Sequence, residues 1–273
     1  MTIAAIPVQP VRPVAPYIGG KRVLSGRLVS LIDGIDHHLY AEPFVGMGGV
    51  FFRRRRKPAV EVINDISGDV TTLFRILQRH YQPFLETIKW QLSSRTEFDR
   101  LMRTDPATLT DLERAARFLY LQKTAFGGKV TGRHFGVDRH QGSRFNLTRL
   151  EPLLEGVHDR LSGVTIERLQ WTDFVPRYDR PDTLFYLDPP YFGCENDYGT
   201  GVFSRDEFTV LADMLERIQG RFILSINDRP EMRETFGRFE FDEAALTYSI
   251  GISHTAAREL IVFGGGKGAL RGS

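Results

Sequence analysis

The chain has 273 residues, of which 41% are hydrophobic and 26% charged, and its formal net charge is +2. This composition is typical of a globular protein, and the length predicts one large domain or one domain with an insert. The single cysteine excludes an intrachain disulfide, and no apolar run is long enough to span a membrane. We therefore expect a cytoplasmic protein with no membrane partner, whose basic surfaces, if any, come from local clustering of charge.

The two ends of the chain differ in composition from the rest. Residues 1–16 contain several prolines and no apolar stretch suited to a signal peptide, so they are interpreted as an extended or mobile arm. Residues 266–273 are rich in glycine and are predicted to form a flexible tail.

After the arm, strands and helices alternate. A helix is predicted over residues 23–34, and the strand in "HLYAEPF" then meets the glycine cluster "VGMGG". A short apolar helix should follow and end at "RRRRKP", where the arginines complement the helix dipole; a phosphate-contacting patch is the alternative. The strand "AVEVIND" ends at Asp65. This βαβ order favours a parallel, doubly wound sheet.

The middle of the chain has a different periodicity. Residues 67–149 contain the helical patterns "VTTLFRILQRHY", "PFLETIKWQL" and "LERAARFLYLQK", followed by a long loop rich in glycine and arginine. A helix around residues 150–161 leads back to the strands "VTIERL", "TLFYLDPPY" and "RFILSIND" and to a final strand pair. Between the last two of these three strands, a helix with a capping box of Ser204 and Glu207 is predicted. The pattern indicates one α/β sheet with an embedded helical module.

The glycine cluster suggests a cofactor site. Glycines at a strand-to-helix turn present free backbone amides to a ligand, although a plain tight turn has the same sequence. Asp65 follows about 20 residues later, where a carboxylate can bind ribose hydroxyls; capping of the next helix is the alternative. Lys21 in "YIGGK" could reach a carboxylate or phosphate, or could be a solvated turn residue.

The tetrapeptide that follows "TLFYL" carries the strongest chemical signal. Pro189 and Pro190 cannot donate backbone hydrogen bonds, so carbonyl groups at this strand end stay available as acceptors. The Asp188 carboxylate and the Pro189 carbonyl can accept both N–H bonds of an amino group on a planar heterocycle, and Tyr191 can stack on its ring. A strand end whose aspartate caps a turn is the alternative interpretation.

In this order, "YIGGK", "EPFVGMGG", "IND" and "DPPY" resemble the motifs of the Dam-like DNA adenine methyltransferases, from residue 17 to about residue 263. The resemblance implies a Rossmann-like methyltransferase sheet, dependent on S-adenosylmethionine, that methylates the N6 amine of an adenine flipped out of duplex DNA. It also implies a catalytic domain of residues 17–66 and 150–265, and a helical target-recognition insert of residues 67–149. A bacterial or phage-infected cell, a monomer and a cognate restriction endonuclease as partner are further expectations.

The resemblance assigns roles to individual residues. A catalytic role is implied for Asp188, Pro189, Pro190 and Tyr191, of which Asp188, Pro189 and Tyr191 would hold the target base. Binding of S-adenosylmethionine is implied for Tyr17, Lys21, Glu42, Phe44, Gly46, Asp65, Asp173, Phe174 and Asp188. Tyr17 stands where tryptophan is frequent in that family. No cluster of histidines or cysteines suggests a metal site, because the seven histidines are scattered apart from one adjacent pair.

A basic loop follows the helical patterns. "FGGKVTGRHFGVDRHQGSRFNLTR" has five basic residues and one acidic residue, Asp138, which gives a local charge of +4. DNA binding is predicted for Lys129, Arg133, Arg139 and Arg144, with a solvated loop as the alternative. Ser253, His254 and Arg258 are weaker candidates for phosphate contacts. The loop lacks the asparagine pattern of enzymes that methylate GATC, so the recognition sequence stays open.

Four alternative functions would account for some of these sequence features. An RNA adenine methylase or a protein glutamine methylase would also need a planar amino group, although the basic loop and the helical insert favour duplex DNA. A catalytically silent DNA-binding module would not need Asp188 and Tyr191. A nicotinamide oxidoreductase is suggested only by the glycine turn and would have no use for "DPPY".

Overall fold

The computed structural model describes residues 6–137, 142–199, 201–250 and 253–266 of the chain. The strands in chain order are β1 (Ile6–Pro7), β2 (Leu39–Glu42), β3 (Arg56–Lys57), β4 (Val60–Asn64), β5 (Thr165–Glu167), β6 (Thr183–Leu187), β7 (Arg221–Asn227), β8 (Glu240–Ile250) and β9 (Ser253–Gly265). The α-helices are α1 (Ser25–Asp33), α2 (Gly68–Arg79), α3 (Tyr81–Ile88), α4 (Arg95–Arg103), α5 (Asp111–Thr124), α6 (Leu147–Arg160), α7 (Trp171–Tyr178), α8 (Glu207–Leu215) and α9 (Pro230–Thr235).

Seven of the strands form one sheet in the order β5-β4-β2-β6-β7-β9-β8. The first five strands in this order are parallel, and β9 pairs antiparallel with β7 and with β8. All five residues of β6 are buried, as expected for a central parallel strand covered on both faces. The sheet confirms the predicted α/β fold. Its order reverses between β2 and β6, which is where such sheets open a crevice for a ligand.

The helices cover the two faces of the sheet with two hydrophobic clusters. One cluster joins α1, α2, α5 and α6 to sheet residues such as Tyr40 and Tyr186. The other joins α7, α8 and α9 to Phe185 and Leu224. The helices between β4 and α6 therefore share a core with the sheet. The division into a catalytic domain and a target-recognition insert stays a prediction.

The N-terminal arm is extended and packs against the body of the protein. β1 pairs with β3, and the N–H of Val11 donates to the carbonyl of Phe52 at 2.7 Å. Val14 is fully buried in the first hydrophobic cluster. The apolar residues of the arm hold its described part in place. The arm therefore forms part of the wall of the cavity described below.

The short helix predicted to end at the arginine run is reduced to a single turn that ends at the first arginine, Arg53. The apolar segment before it makes only one 3₁₀ turn, Phe51–Arg53, and the run continues into β3. Arg54 is buried and its Nη1 donates to Glu61 Oε1 at 2.8 Å. The arginines of the run therefore differ in environment, because Arg54 pairs with the buried Glu61 and is not available at the surface.

The predicted capping box before α8 is only half formed. The Ser204 N–H donates to the Glu207 carboxylate at 2.6 Å, but α8 begins at Glu207 and its N-cap Asp206 makes no side-chain cap bond. Glu207 also accepts a hydrogen bond from the indole N–H of Trp171 at 2.8 Å, which ties α8 to α7. No helix in the described part of the chain is long and apolar enough to cross a membrane.

Candidate active site

The carboxyl ends of the parallel strands meet at a cavity of about 920 Å³. The glycine turn follows β2, Asp65 follows β4, and Asp188 follows β6. All three line the cavity, together with Tyr17 and Lys21 from the segment before α1. Parallel strands carry their carboxyl ends to one edge of the sheet, so residues far apart in sequence converge there.

The glycine turn is fixed by Asp65. Its carboxylate accepts hydrogen bonds from the N–H groups of Gly46 and Ser67, both at 2.8 Å. Gly46 has a φ of +49°, and a Cβ added there would lie 3.1 Å from two ring carbons of Tyr17. The turn thus needs glycine both for its backbone angle and for its contact with the ring. Burial raises the pKa of Asp65 to about 6, although both N–H donors lower it.

Asp188 lies at the centre of a small polar network. Lys21, whose side chain is almost fully buried, donates to Asp188 Oδ1 at 2.5 Å. The Ser225 hydroxyl donates to the same oxygen at 3.3 Å and lies 2.8 Å from the hydroxyl of Tyr186. Burial raises the pKa of Asp188 to about 6, and the charge and hydrogen bond of Lys21 hold it from rising further. Lys21 also lies 4.5 Å from the ring centre of Tyr191.

Glu42 lines the cavity as a buried carboxyl group. It accepts a hydrogen bond from the Tyr40 hydroxyl at 2.8 Å. Burial raises the pKa of Glu42 to about 8 in spite of this bond. The group is therefore mostly protonated at neutral pH and can donate a hydrogen bond into the cavity.

Aromatic rings line another part of the cavity. The ring centres of Phe44 and Trp171 lie 6.4 Å apart, and Phe203 lies 6.0 Å from Phe44. Asp173 and Phe174, the predicted cofactor-binding pair, do not line the cavity: Asp173 is exposed and Phe174 is fully buried in the second hydrophobic cluster. The reason is that α7 begins at Trp171, so the cavity wall is formed by the residues just before the predicted pair.

The catalytic tetrapeptide lies partly in the cavity wall and partly behind it. Asp188 and Pro190 line the cavity, Pro189 is buried, and Tyr191 is half-buried. Asn227 holds the next residue: its Oδ1 accepts from the N–H of Phe192 at 3.0 Å, and its Nδ2 donates to the Phe192 carbonyl at 2.9 Å. Sequence reasoning assigns no definite role to Asn227, although its position at the end of β7 in "SIND" is a usable signal.

A second residue missed from the sequence is Tyr198. Its hydroxyl donates to the Ile18 carbonyl at 3.0 Å, and its ring centre lies 5.9 Å from that of Tyr17. The Thr131 hydroxyl donates to the neighbouring Asp197 carbonyl at 3.3 Å. The segment after the tetrapeptide therefore joins the cavity wall to the basic loop.

The predicted DNA-binding residues are only partly available for DNA. Lys129 is exposed, whereas Arg133 donates to Gln122 Oε1 at 2.9 Å, and Arg144 to the Ala125 carbonyl at 3.4 Å. Arg139 and Asp138 lie outside the described residues, as do the side chains of Ser253 and His254. Arg133 and Arg144 hold the loop against α5 in this conformation. Among the described residues, no group of three or more His, Cys, Asp or Glu side chains could hold a metal ion.

Comparison with known families identifies this arrangement. Residues 17–250 match the model of the D12 class N6 adenine-specific DNA methyltransferases. The chain belongs to this family. As a D12 class methyltransferase, the protein methylates adenine in DNA, and the predicted family and reaction are confirmed.

Relatives of this D12 class methyltransferase are distant but span most of the chain. Type II methyltransferase M.CviBI of Paramecium bursaria Chlorella virus NC1A is 23% identical over 87% of this chain and 91% of its own length. Type II methyltransferase M1.LlaDCHI of Lactococcus lactis subsp. cremoris is 25% identical over 88% and 89%. The retron Ec67 DNA adenine methylase of Escherichia coli is 22% identical over 89% and 90%. The similarity therefore includes both the sheet and the helices between β4 and α6.

Proposed function

We propose that this adenine-specific DNA methyltransferase takes its methyl group from S-adenosylmethionine and acts on an adenine flipped out of duplex DNA. One observation carries the proposal. A largely buried carboxylate, Asp188, stands at the end of a central strand, beside both the cavity of about 920 Å³ and the ring of Tyr191.

The residues of the cavity fit S-adenosylmethionine. The cavity volume of about 920 Å³ lies in the range of small-molecule sites, which is roughly 300–1,000 Å³. Phe44 and Trp171 offer apolar surface to an adenine ring, and Asp65 stands where a ribose would present its hydroxyls. Lys21 and the glycine turn would contact the methionine part. When bound, this group supplies an electrophilic methyl on a positively charged sulfur.

Asp188 has the properties needed to activate the amine. The lone pair of an aromatic amine is delocalised into the ring, which makes the nitrogen a weak nucleophile. In the proposed complex, the Asp188 carboxylate and the Pro189 carbonyl each accept one N–H of that amine, which increases electron density on the nitrogen. Lys21 and Ser225 both donate to Oδ1, which leaves Oδ2 of Asp188 as the acceptor for the amine. Holding the amine in line with the methyl group contributes several kcal/mol through proximity.

Base flipping follows from the position of this pocket at the sheet edge. A target amine inside a duplex cannot reach a carboxylate recessed in the cavity, so the nucleotide rotates out at a cost of a few kcal/mol. Stacking on Tyr191 offsets part of this cost, because stacking of a base on an aromatic ring contributes about 1–3 kcal/mol. The exposed Lys129 contacts backbone phosphate in this arrangement.

The test is transfer of labelled methyl from S-adenosylmethionine to unmethylated duplex DNA, single-stranded DNA and RNA, with identification of the methylated base. We expect N6-methyladenine in the duplex and none with Asp188→Ala. Label only in RNA would overturn the assignment of substrate, and label in DNA with the Asp188→Ala variant would overturn the role of this carboxylate. The fluorescence of 2-aminopurine at the target position reports flipping, and it should rise on binding of the enzyme.

The remaining expectations from the sequence stay predictions. They concern the cytoplasmic location, the monomeric state and a restriction endonuclease partner.

A further inference from the structure

Three arginines meet at the wall of the active-site cavity. Arg12, Arg22 and Arg53 all line it, although they come from the N-terminal arm, the segment before α1 and the 3₁₀ turn after the glycine cluster. The site described above uses none of them. We refer to them as the three-arginine cluster.

The backbone brings these side chains together. The arm runs beside the arginine run, with hydrogen bonds from the N–H of Val8 to the Arg55 carbonyl at 2.9 Å and from the N–H of Val11 to the Phe52 carbonyl at 2.7 Å. This pairing places Arg12 next to Arg53. Arg53 in turn donates to the Gly49 carbonyl at 2.5 Å, at the end of the glycine turn.

Arg22 connects the cluster to the catalytic carboxylate. It directly follows Lys21, whose ammonium group contacts Asp188. Its N–H donates to the Gly20 carbonyl at 2.9 Å, which keeps this segment in a tight turn beside the cavity. A ligand that binds Arg22 therefore contacts the residue next to Lys21, which in turn contacts Asp188.

The cluster lacks a neutralising partner among the described residues. None of their carboxylates lies within 4.0 Å of any of its three guanidinium groups. Burial lowers the pKa of Arg53, and the charges of Arg22 and Arg12 lower it further, so both of these groups are close enough to Arg53 to repel it. Repulsion of this kind disfavours the folded chain unless an anion binds.

The rest of the arginine run is placed differently. Arg54 is neutralised by Glu61 inside the protein. Arg55 and Arg56 are exposed and do not line the cavity. The sequence pattern "RRRR" therefore contains one cavity residue, one buried structural residue and two surface residues.

We propose that the three-arginine cluster binds the phosphate backbone of DNA beside the target adenine, an inference that rests on the DNA methyltransferase function. Guanidinium groups bind phosphate oxygens in a bidentate manner, and an array of three suits consecutive phosphates of a nucleic acid strand. Arg12 and Arg22 are exposed and thus within reach of a macromolecule.

A second anion that could bind here is the carboxylate of the cofactor. S-adenosylmethionine carries an ammonium and a sulfonium as well as that carboxylate, so its positive charges outnumber its negative one. Three guanidinium groups would repel this ligand on balance, whereas each DNA phosphate brings a negative charge with no neighbouring cation. The charge balance therefore favours DNA over the cofactor.

Two double variants with the same loss of charge test the proposal. Arg12→Gln with Arg22→Gln removes two exposed arginines of the cluster, and Arg55→Gln with Arg56→Gln removes two exposed arginines of the same run outside the cavity. Arg53 is left unchanged because it also contacts the glycine turn. For each protein, the dissociation constant for target duplex DNA is measured over a salt series, and the dissociation constant for S-adenosylmethionine is measured separately. Wild-type activity on DNA is checked first, since its absence would refute the proposed function and not this site.

The first pair should weaken DNA binding at least tenfold at low salt. It should also reduce the slope of log K against log salt by about 0.9 for each phosphate that is no longer neutralised. The matched pair should leave that slope nearly unchanged, and cofactor binding should not weaken in either pair. Weaker cofactor binding with normal DNA binding would overturn the proposal in favour of the cofactor carboxylate. Equal effects of the two pairs would also overturn it, because they would indicate only general attraction between DNA and a positive surface.

Discussion

Glu61 and Asp188 are two largely buried carboxylates of the same sheet, and they differ in the number of hydrogen bonds that they accept from cationic side chains. Glu61 in β4 accepts three charge-assisted hydrogen bonds, one from Arg54 at 2.8 Å and two from Arg160 at 2.7 and 2.6 Å. The guanidinium of Arg54 lies 3.7 Å from the ring centre of Tyr40, and that of Arg160 lies 4.1 Å from the ring centre of Phe51. Asp188 has one lysine and one hydroxyl as hydrogen-bond donors.

The difference separates a structural ion pair from a reactive one. Around Glu61, two guanidinium groups fully occupy the carboxylate and join β4 to the end of α6, and none of these three residues lines the cavity. Around Asp188, the hydrogen bonds are too few to offset burial, so its pKa rises to about 6. A carboxylate with spare acceptor capacity beside a cavity can still accept the N–H bonds of an incoming amine.

The largest effect is expected from Asp188→Asn. The amide keeps the shape of the side chain but loses the negative charge that polarises the amine, so kcat should fall by at least about 10³-fold. Steady-state methylation assays with duplex DNA measure this loss. Cofactor affinity and the thermal midpoint serve as controls for folding. An active Asp188→Asn variant would contradict the distinction between the two carboxylates.

Glu61→Gln is the matched carboxylate-to-amide change in the structural pair. It leaves two buried guanidinium groups without a charged partner, which should lower the free energy of unfolding by about 3 kcal/mol or more. Urea unfolding at neutral pH measures the change. The folded fraction should retain its kcat, because Glu61 does not line the cavity. Normal stability with impaired kcat would reverse the roles assigned to the two sites.

The pH dependence of kcat gives a third and smaller effect. Because the ionised form of Asp188 is the active one and its pKa is raised to about 6, kcat should rise with pH and level off above that value. Below pH 6, it should fall about tenfold per pH unit. The assay needs saturating cofactor, because Asp65 titrates in the same range and would affect cofactor binding.

Lys21→Gln is the control for this profile. The positive charge of Lys21 lowers the pKa of Asp188, so its removal should shift the acid limb of kcat to higher pH. An acid limb that stays at the same pH in this variant would show that a group other than Asp188 titrates.

The sequence could predict the sheet and the edge at which the site lies, because long apolar strands and alternating helices are local patterns. It could not predict which arginine of "RRRR" would be buried. That depended on Glu61 and on Arg160, which lies about 100 residues further along the chain. The position of the cavity wall at Trp171, just before the predicted Asp173 and Phe174, depended in the same way on where α7 begins.

The tripeptide "IND" shows most clearly what cannot be predicted from sequence, since it occurs at the ends of both β4 and β7. After β4, Asp65 binds the N–H groups of the glycine turn. After β7, Asp228 pairs instead with Arg233 at 2.6 and 2.8 Å. Identical residues thus acquire different roles from partners that only the tertiary structure supplies.

The asparagines of these two tripeptides offer the smallest and most selective test. Asn64 donates to the carbonyls of Pro43 and Leu169 and accepts from the N–H of Leu169, so it fixes the cofactor side of the cavity. Asn227 makes the corresponding pair of bonds with Phe192, so it fixes the segment that follows Tyr191. Each neutral hydrogen bond contributes about 1 kcal/mol, so removing the three bonds of Asn64 or the two bonds of Asn227 should cost at least about tenfold.

The two effects should appear in different measurements. Asn64→Ala should weaken binding of S-adenosylmethionine and leave the 2-aminopurine signal of the flipped base unchanged. Asn227→Ala should lower kcat and the 2-aminopurine signal with normal cofactor affinity. Asn227→Asp, which keeps the acceptor for the N–H of Phe192 and loses the donor, should fall between Asn227→Ala and the wild type. If both alanine variants impaired the same step, the cofactor and base sides of the cavity would be one mechanical unit, because neither asparagine could then act on its own side alone.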